Sequence, residues 1–184
     1  MTVLTINTNY DGDITNIYTK VTNGITLRAG TISKAPIHAF IRFPLTNLPS
    51  DAIISQVRLL VNCTIGGGSS GLWDFHPYNS DGQADPSGDT GATCYNACAA
   101  GTQYIDNDTG LRSTGAKAYT LGSAGNTAVA AAKTAGTNFS LGIHEEGEND
   151  NYASITALDA GSNVPQLEIT YTQPTGDTMK VQVM

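Results

Sequence analysis

The sequence predicts an all-β protein, an antiparallel β-sandwich, and three observations carry that reading. Residues 37–45 and 53–63 alternate with period two. Ile37, Ala39, Ile41, Phe43 and Leu45 oppose His38, Arg42 and Pro44, while Ile53, Val57, Leu59, Val61 and Cys63 oppose Gln56, Arg58 and Asn62. In the first run only Phe40 is out of step. Other short apolar runs recur between clusters of Gly, Ser, Thr, Asn and Asp, the punctuation of a many-stranded protein. With 184 residues, 14% of them charged, the chain is long enough for one domain with its own core. The expected organisation is a sandwich over residues 1–172 and a linker with a strand-like arm over 173–184.

In chain order, residues 3–6 read as a strand and 9–13 as a polar turn. Residues 14–21 and 25–29 read as strands around Asn23-Gly24, a strong hairpin signal. The central pair 37–63 is joined by a turn containing Leu48-Pro49. Residues 64–71 are a glycine-rich loop, and 72–78 return as a strand carrying the single Trp, Trp73. Residues 79–111 are polar and aperiodic, a stretch long enough to be functional, with room for a short helix over 92–99. Residues 116–121 form a strand. One short helix follows over 126–136, capped by Asn126 and stopped by Gly136; it needs docking through Val129 to persist. Strands at 139–144, 152–158 and 164–171 complete the core, with an acidic loop at 145–151. Pro165 is tolerated at the start of the last strand. After the 173–177 breaker, residues 179–184 alternate again, so Met179, Val181 and Val183 make an arm that pairs with a neighbour's sheet.

Composition excludes several functions. The net charge is −7 and the nine Lys and Arg are scattered, which leaves no cationic face for nucleic acid. No apolar run approaches a membrane span. The N-terminal residues lack the basic and apolar parts of a signal peptide, so the written chain is expected not to be addressed for secretion. Cys63 sits on an apolar parity. Cys94 and Cys98 either bridge or lie as free thiols one helical turn apart, and free thiols in a reducing setting are the simpler expectation.

The runs Ala39-Phe40-Ile41-Arg42-Phe43-Pro44-Leu45, Leu48-Pro49 and Ala52-Ile53-Ile54-Ser55-Gln56-Val57-Arg58-Leu59 resemble those of the DNRLRE-type β-sandwich domain. The short helix, the Phe139-Ser140-Leu141-Gly142-Ile143 strand and the closing Pro165-x-Leu167-x-Ile169-x-Tyr171 extend the likeness over residues 3–172, the 79–111 stretch excepted. The resemblance implies an antiparallel jelly-roll β-sandwich with one short α-helix and a long irregular insertion, similar to carbohydrate-binding modules. Similar folds serve as adhesive parts of exported proteins and as decoration or fibre-base domains of phage particles. It also implies a structural calcium where the terminal strands meet, with Asp11, Asp13 and Asp159 as ligands, since oxygen-rich loops suit a hard cation. The acidic runs Asp81, Asp85, Asp89 and Glu145, Glu146, Glu148, Asp150 offer further oxygens.

Glycan recognition needs exposed aromatic platforms, for which Tyr78, Tyr95 and Tyr104 are the candidates; Trp73 belongs to the core. Catalysis is not expected. Paired carboxylates need fixed spacing beside a cleft, and these acids lie in glycine-rich loops. The three histidines show no helical spacing, and no nucleophile elbow, phosphate loop or zincin motif is present. The expected function is that of a non-enzymatic virion protein, a capsid decoration or tail-associated subunit. Its partners would be copies of itself, capsid or tail proteins, with no nucleic acid or membrane. The alternative is a glycan-binding or adhesion module of an extracellular protein.

Overall fold

The two alternating runs become the longest strands of the computed structural model, which describes residues 1–146 and 151–174. They are β5 (Ala35–Phe43) and β6 (Ile53–Ile65), and they do not pair with each other. β5 takes β2 (Tyr10–Thr15) on one edge and β10 (Phe139–Glu145) on the other, with β4 (Thr26–Ile32) paired at its start. β6 lies between β12 (Gln166–Thr172) and β9 (Gly115–Thr120), and its far end meets β11 (Tyr152–Thr156). The β4–β11 pairing joins the two halves, so one antiparallel sheet curls over itself into a sandwich-like all-β fold. β1 (Thr2–Asn7) extends one half beyond β12. β7 (Trp73–Pro77) and β8 (Ile105–Asp108) extend the other beyond β10, and β3 (Lys20–Val21) borders β2.

The alternation seen in the sequence sets what lies between the halves. Ala39, Ile41 and Phe43 of β5, Val57, Leu59 and Val61 of β6, and Leu141 and Ile143 of β10 share one core, each worth roughly 1.5–3 kcal/mol for the larger side chains. Trp73 is fully buried there, and its indole N–H donates to the Ala29 carbonyl at 3.2 Å. The glycine-rich loop serves this ring: a Cβ at Gly67 or Gly71 would strike it.

Several local expectations are corrected. Of the expected turn at 9–13, residues 10–13 are instead the first part of β2, with Asp11 and Asp13 turned inward. Asn23-Gly24 closes no hairpin, because β3 pairs with β2. The tight hairpin is β4–β5, where Ser33 and Lys34 both adopt positive φ (51° and 66°), as a two-residue primed turn requires. The 126–136 helix begins earlier, as α2 (Gly122–Ala135), with Leu121 at the N-cap. Asn126 does not cap it; its amide donates to the Ser55 carbonyl at 3.0 Å and ties the helix to β6. Gly136 is left-handed at the C-cap (φ 68°) and Val129 is buried, both as the sequence required. A second helix, α1 (Gly91–Ala97), follows its N-cap Thr90.

The 79–111 insertion covers the outer face of the β2–β5–β10 half. There Ile14, Phe40, Tyr78, Cys94, Ala97 and Cys98 form a second small core, which explains the misplaced parity of Phe40. Gly142 lets the insertion lie flat on β10, since a Cβ there would collide with the Cys98 carbonyl. Arg42 reaches up from β5 to Asp85 at 2.6 Å, and the Lys20 ammonium donates to the Pro86 carbonyl at 2.5 Å. Among the described residues, no helix is long and apolar enough to cross a membrane.

Candidate functional site

At the edge of the insertion the outer face gathers all three histidines of the chain. Strand alternation puts His38 of β5, His144 of β10, and Asp74 and His76 of β7 on the side away from the core. Pairing sets Gly142 opposite His76 and His144 opposite Asp74. The Nε2 atoms of His76 and His144 stand 3.0 Å apart, and His144 Nε2 is 3.7 Å from Asp74 Oδ2. Asp74 and His76 are buried and His144 is partly exposed.

Each group is held by a further partner. His76 Nδ1 lies 3.2 Å from the Gly101 carbonyl, and His144 Nδ1 lies 3.2 Å from the Glu145 carbonyl. Asp74 accepts from the Asn107 backbone N–H at 2.8 Å and from the Gln103 amide at 3.4 Å. His38 stacks on Tyr95 with ring centroids 4.0 Å apart, and its Nδ1 meets the Tyr95 carbonyl at 2.9 Å. Burial lowers the His38 pKa to about 4, against the opposing pull of the Tyr95 carbonyl, and it lowers that of His76, where repulsion by His144 adds to the effect. Asp106 and Glu146 bring two more carboxylates to Asp74. Among the described residues, Asp74–His76–His144 and Asp74–Asp106–Glu146 are the groups whose ligand atoms gather within 4.8 Å.

The residues singled out from sequence fare differently. Tyr78 is fully buried in the second core, its hydroxyl donating to Asp89 at 2.7 Å, so it is no glycan platform. Tyr95 is half-buried between His38 and the exposed Tyr18, whose ring meets it edge-on at 5.9 Å. Tyr104 lines a cleft of about 450 Å³ between the insertion and α2, with its hydroxyl buried and unpartnered.

Among the described residues, Asp11, Asp13 and Asp159 do not gather their carboxylate oxygens within 4.8 Å of one another. Asp13 is engaged by Arg28, whose Nη2 and Nε reach its two oxygens at 2.9 and 3.0 Å. Asp11 accepts the Leu158 backbone N–H at 2.9 Å, and Asp159 stays exposed. In the insertion, Asp85 is paired with Arg42 and Asp89 with Tyr78. Met179, Val181 and Val183, with Glu148 and Asp150, lie outside the described residues. The three cysteines are buried free thiols.

Sequence reasoning missed Asp74 and the meeting of His76 with His144. The usable signal was Asp74-x-His76, two ligating groups on one face of a strand, together with His38 and His144 on polar parities of theirs. Strand order brings them together, and no local spacing reports it. No protein-family model matches the chain, and no curated protein matches it.

Proposed function

We propose that this chain is a non-enzymatic building unit of a virus particle, a capsid decoration or tail-associated subunit that works through protein–protein contacts. The observation that carries the reading is the free edge of β1. Among the described residues, that strand pairs only with β12, which leaves a row of backbone N–H and C=O groups for an added strand. The outer face of its half carries Gln56, Leu60, Ala118, Gln166 and Thr170, with one Arg58–Glu168 pair. Val3 and Ile53 stand 58% and 60% exposed on it.

The occupant we assign to the edge is the arm of a second copy. Thr2 opposes Tyr171, so the segment after β12 leaves the sandwich beside the start of β1. The alternating Met179, Val181 and Val183 suit strand addition there. Deleting residues 173–184, or replacing Val3→Lys, is expected to shift the full chain toward monomer in sedimentation while the melting temperature holds. Unchanged assembly in both variants overturns the reading.

A second reading, a glycan-binding module, is favoured by the Tyr18–Tyr95 edge-to-face pair, with Tyr18 exposed at the surface. Tyr18→Ala and Tyr95→Ala proteins should then lose signal on a glycan array that the unaltered chain lights. No signal from the unaltered chain removes this second reading.

A further inference from the structure

We propose that Asp74, His76 and His144 bind a first-row divalent transition metal of the Zn²⁺ class, and that this ion fastens the 79–111 insertion to the outer face of the sheet.

The first argument is the placement of protons. Both Nδ1 atoms face backbone carbonyls, at 3.2 Å in each ring, and a carbonyl only accepts. With both rings neutral, each Nδ1 carries the hydrogen and each Nε2 is left with a lone pair. Those two lone pairs point at one another across 3.0 Å. Between two neutral imidazoles this contact is repulsive, and a cation placed between them turns it into an attraction. The Asp74 carboxylate, 3.7 Å from His144 Nε2, supplies the third donor.

The second argument is geometric. Two nitrogens on one tetrahedral Zn²⁺ sit about 3.3 Å apart, given Zn–N distances of about 2.0–2.1 Å. The observed 3.0 Å is within a few tenths of an ångström of that, so small side-chain shifts suffice. The ligands also have the outer-sphere partners that tune metal sites: each imidazole donates its other N–H to a carbonyl, and Asp74 is steadied by the Asn107 N–H. All three ligands stand on adjacent paired strands, which hold their spacing better than loops do.

The donors and the local charge select the ion. Imidazole nitrogens suit Zn²⁺ and its neighbours, whereas Ca²⁺ takes oxygen ligands. Asp106 and Glu146, both exposed, lie around Asp74 and make the mouth of the site anionic; one of them or a water completes the coordination. The supporting partners Gly101, Gln103 and Asn107 belong to the insertion, while the ligands belong to β7 and β10. A bound ion fixes the imidazole and carboxylate that these insertion groups hydrogen-bond, and where Asp106 completes the coordination it joins cover and sheet directly, a structural duty.

The test uses the full chain, stripped with a chelator and titrated with Zn²⁺ and then Co²⁺ by calorimetry and absorption. One equivalent is expected to bind, the melting temperature should rise, and the Co²⁺ form should show visible d–d bands without a thiolate charge-transfer band. His144→Gln, at the most exposed ligand, should keep the metal-free melting temperature and lose at least about tenfold in affinity. His76→Gln should behave likewise, and a Cys94→Ser/Cys98→Ser protein should bind as the unaltered chain does. No stoichiometric binding, or binding undiminished in both histidine variants, overturns the proposal. Loss of binding in the cysteine variant moves the metal to the thiols, and stabilisation by Ca²⁺ but not Zn²⁺ moves the ion to the carboxylates; either result also overturns it.

Discussion

Asp11 shows how an inward turn of one strand changes what a carboxylate is for. It is 3% exposed and accepts one backbone N–H, from Leu158. Burial pushes its pKa up to about 6, with Asp159 adding to the rise and the Leu158 N–H opposing it. The folded state thus favours the protonated acid. Its contribution to stability is fully present below the unfolded value of about 4 and is lost as pH rises through about 6. Asp11→Asn keeps an acceptor for Leu158 and removes the buried charge. It is expected to be more stable than the unaltered chain by about 1–3 kcal/mol near pH 7, with the gap closing near pH 4, as urea denaturation at the two pH values will read. The sequence showed Asp11 and Asp13 as neighbours suited to a cation. What it did not show was that β2 alternates through them, so that Asp13 meets Arg28 across the sheet while Asp11 is left to a backbone amide. Contacts between positions 13 and 28, or 11 and 158, leave no mark in local pattern.

At the level of elements, strands that alternate were legible and those that do not were misread. β5, β6, β10 and β12 carry period-two apolar faces and fall within a few residues of where the pattern placed them. β2, written Tyr-Asp-Gly-Asp-Ile-Thr, is buried on both sides beneath polar letters, so its composition imitates a turn. The hairpin went unseen for a similar reason: Ser33-Lys34 occupies two left-handed positions where Asn-Gly is the usual signal. Helix ends divide the same way. Gly136 marked the end of α2 because a left-handed C-cap nearly demands glycine, whereas Leu121 gave no sign of the start. A Cβ on Gly136 would meet nothing within 4 Å, so Gly136→Ala tests conformation alone. A loss of about 1 kcal/mol in chemical denaturation is expected, with no change in the near-ultraviolet circular dichroism of the buried Trp73.

Across the whole molecule, the sandwich-like architecture was readable because its inner faces are made of regular strands. The candidate site was not, since its residues come from positions 74, 76 and 144, joined by strand order alone. One clue pointed to the outer face: Phe40, the single break in the alternation of β5, is where that strand is covered on both sides. The truncation and Val3→Lys experiments belong to this scale, because they test the proposed strand addition between copies while the shared core of β5, β6 and β10 is untouched. Thr2 and Tyr171 face each other at the end of the β1–β12 ladder, and that has a mechanical consequence. Tension applied between residues 2 and 172 reaches the inter-strand hydrogen bonds one after another, as in peeling tape, because in an antiparallel pair they lie perpendicular to the strands. A strand added along the free edge of β1 and pulled lengthwise would load its bonds together, in shear. The same sheet edge would therefore yield readily to tension between residues 2 and 172 and resist a lengthwise pull on the proposed added strand.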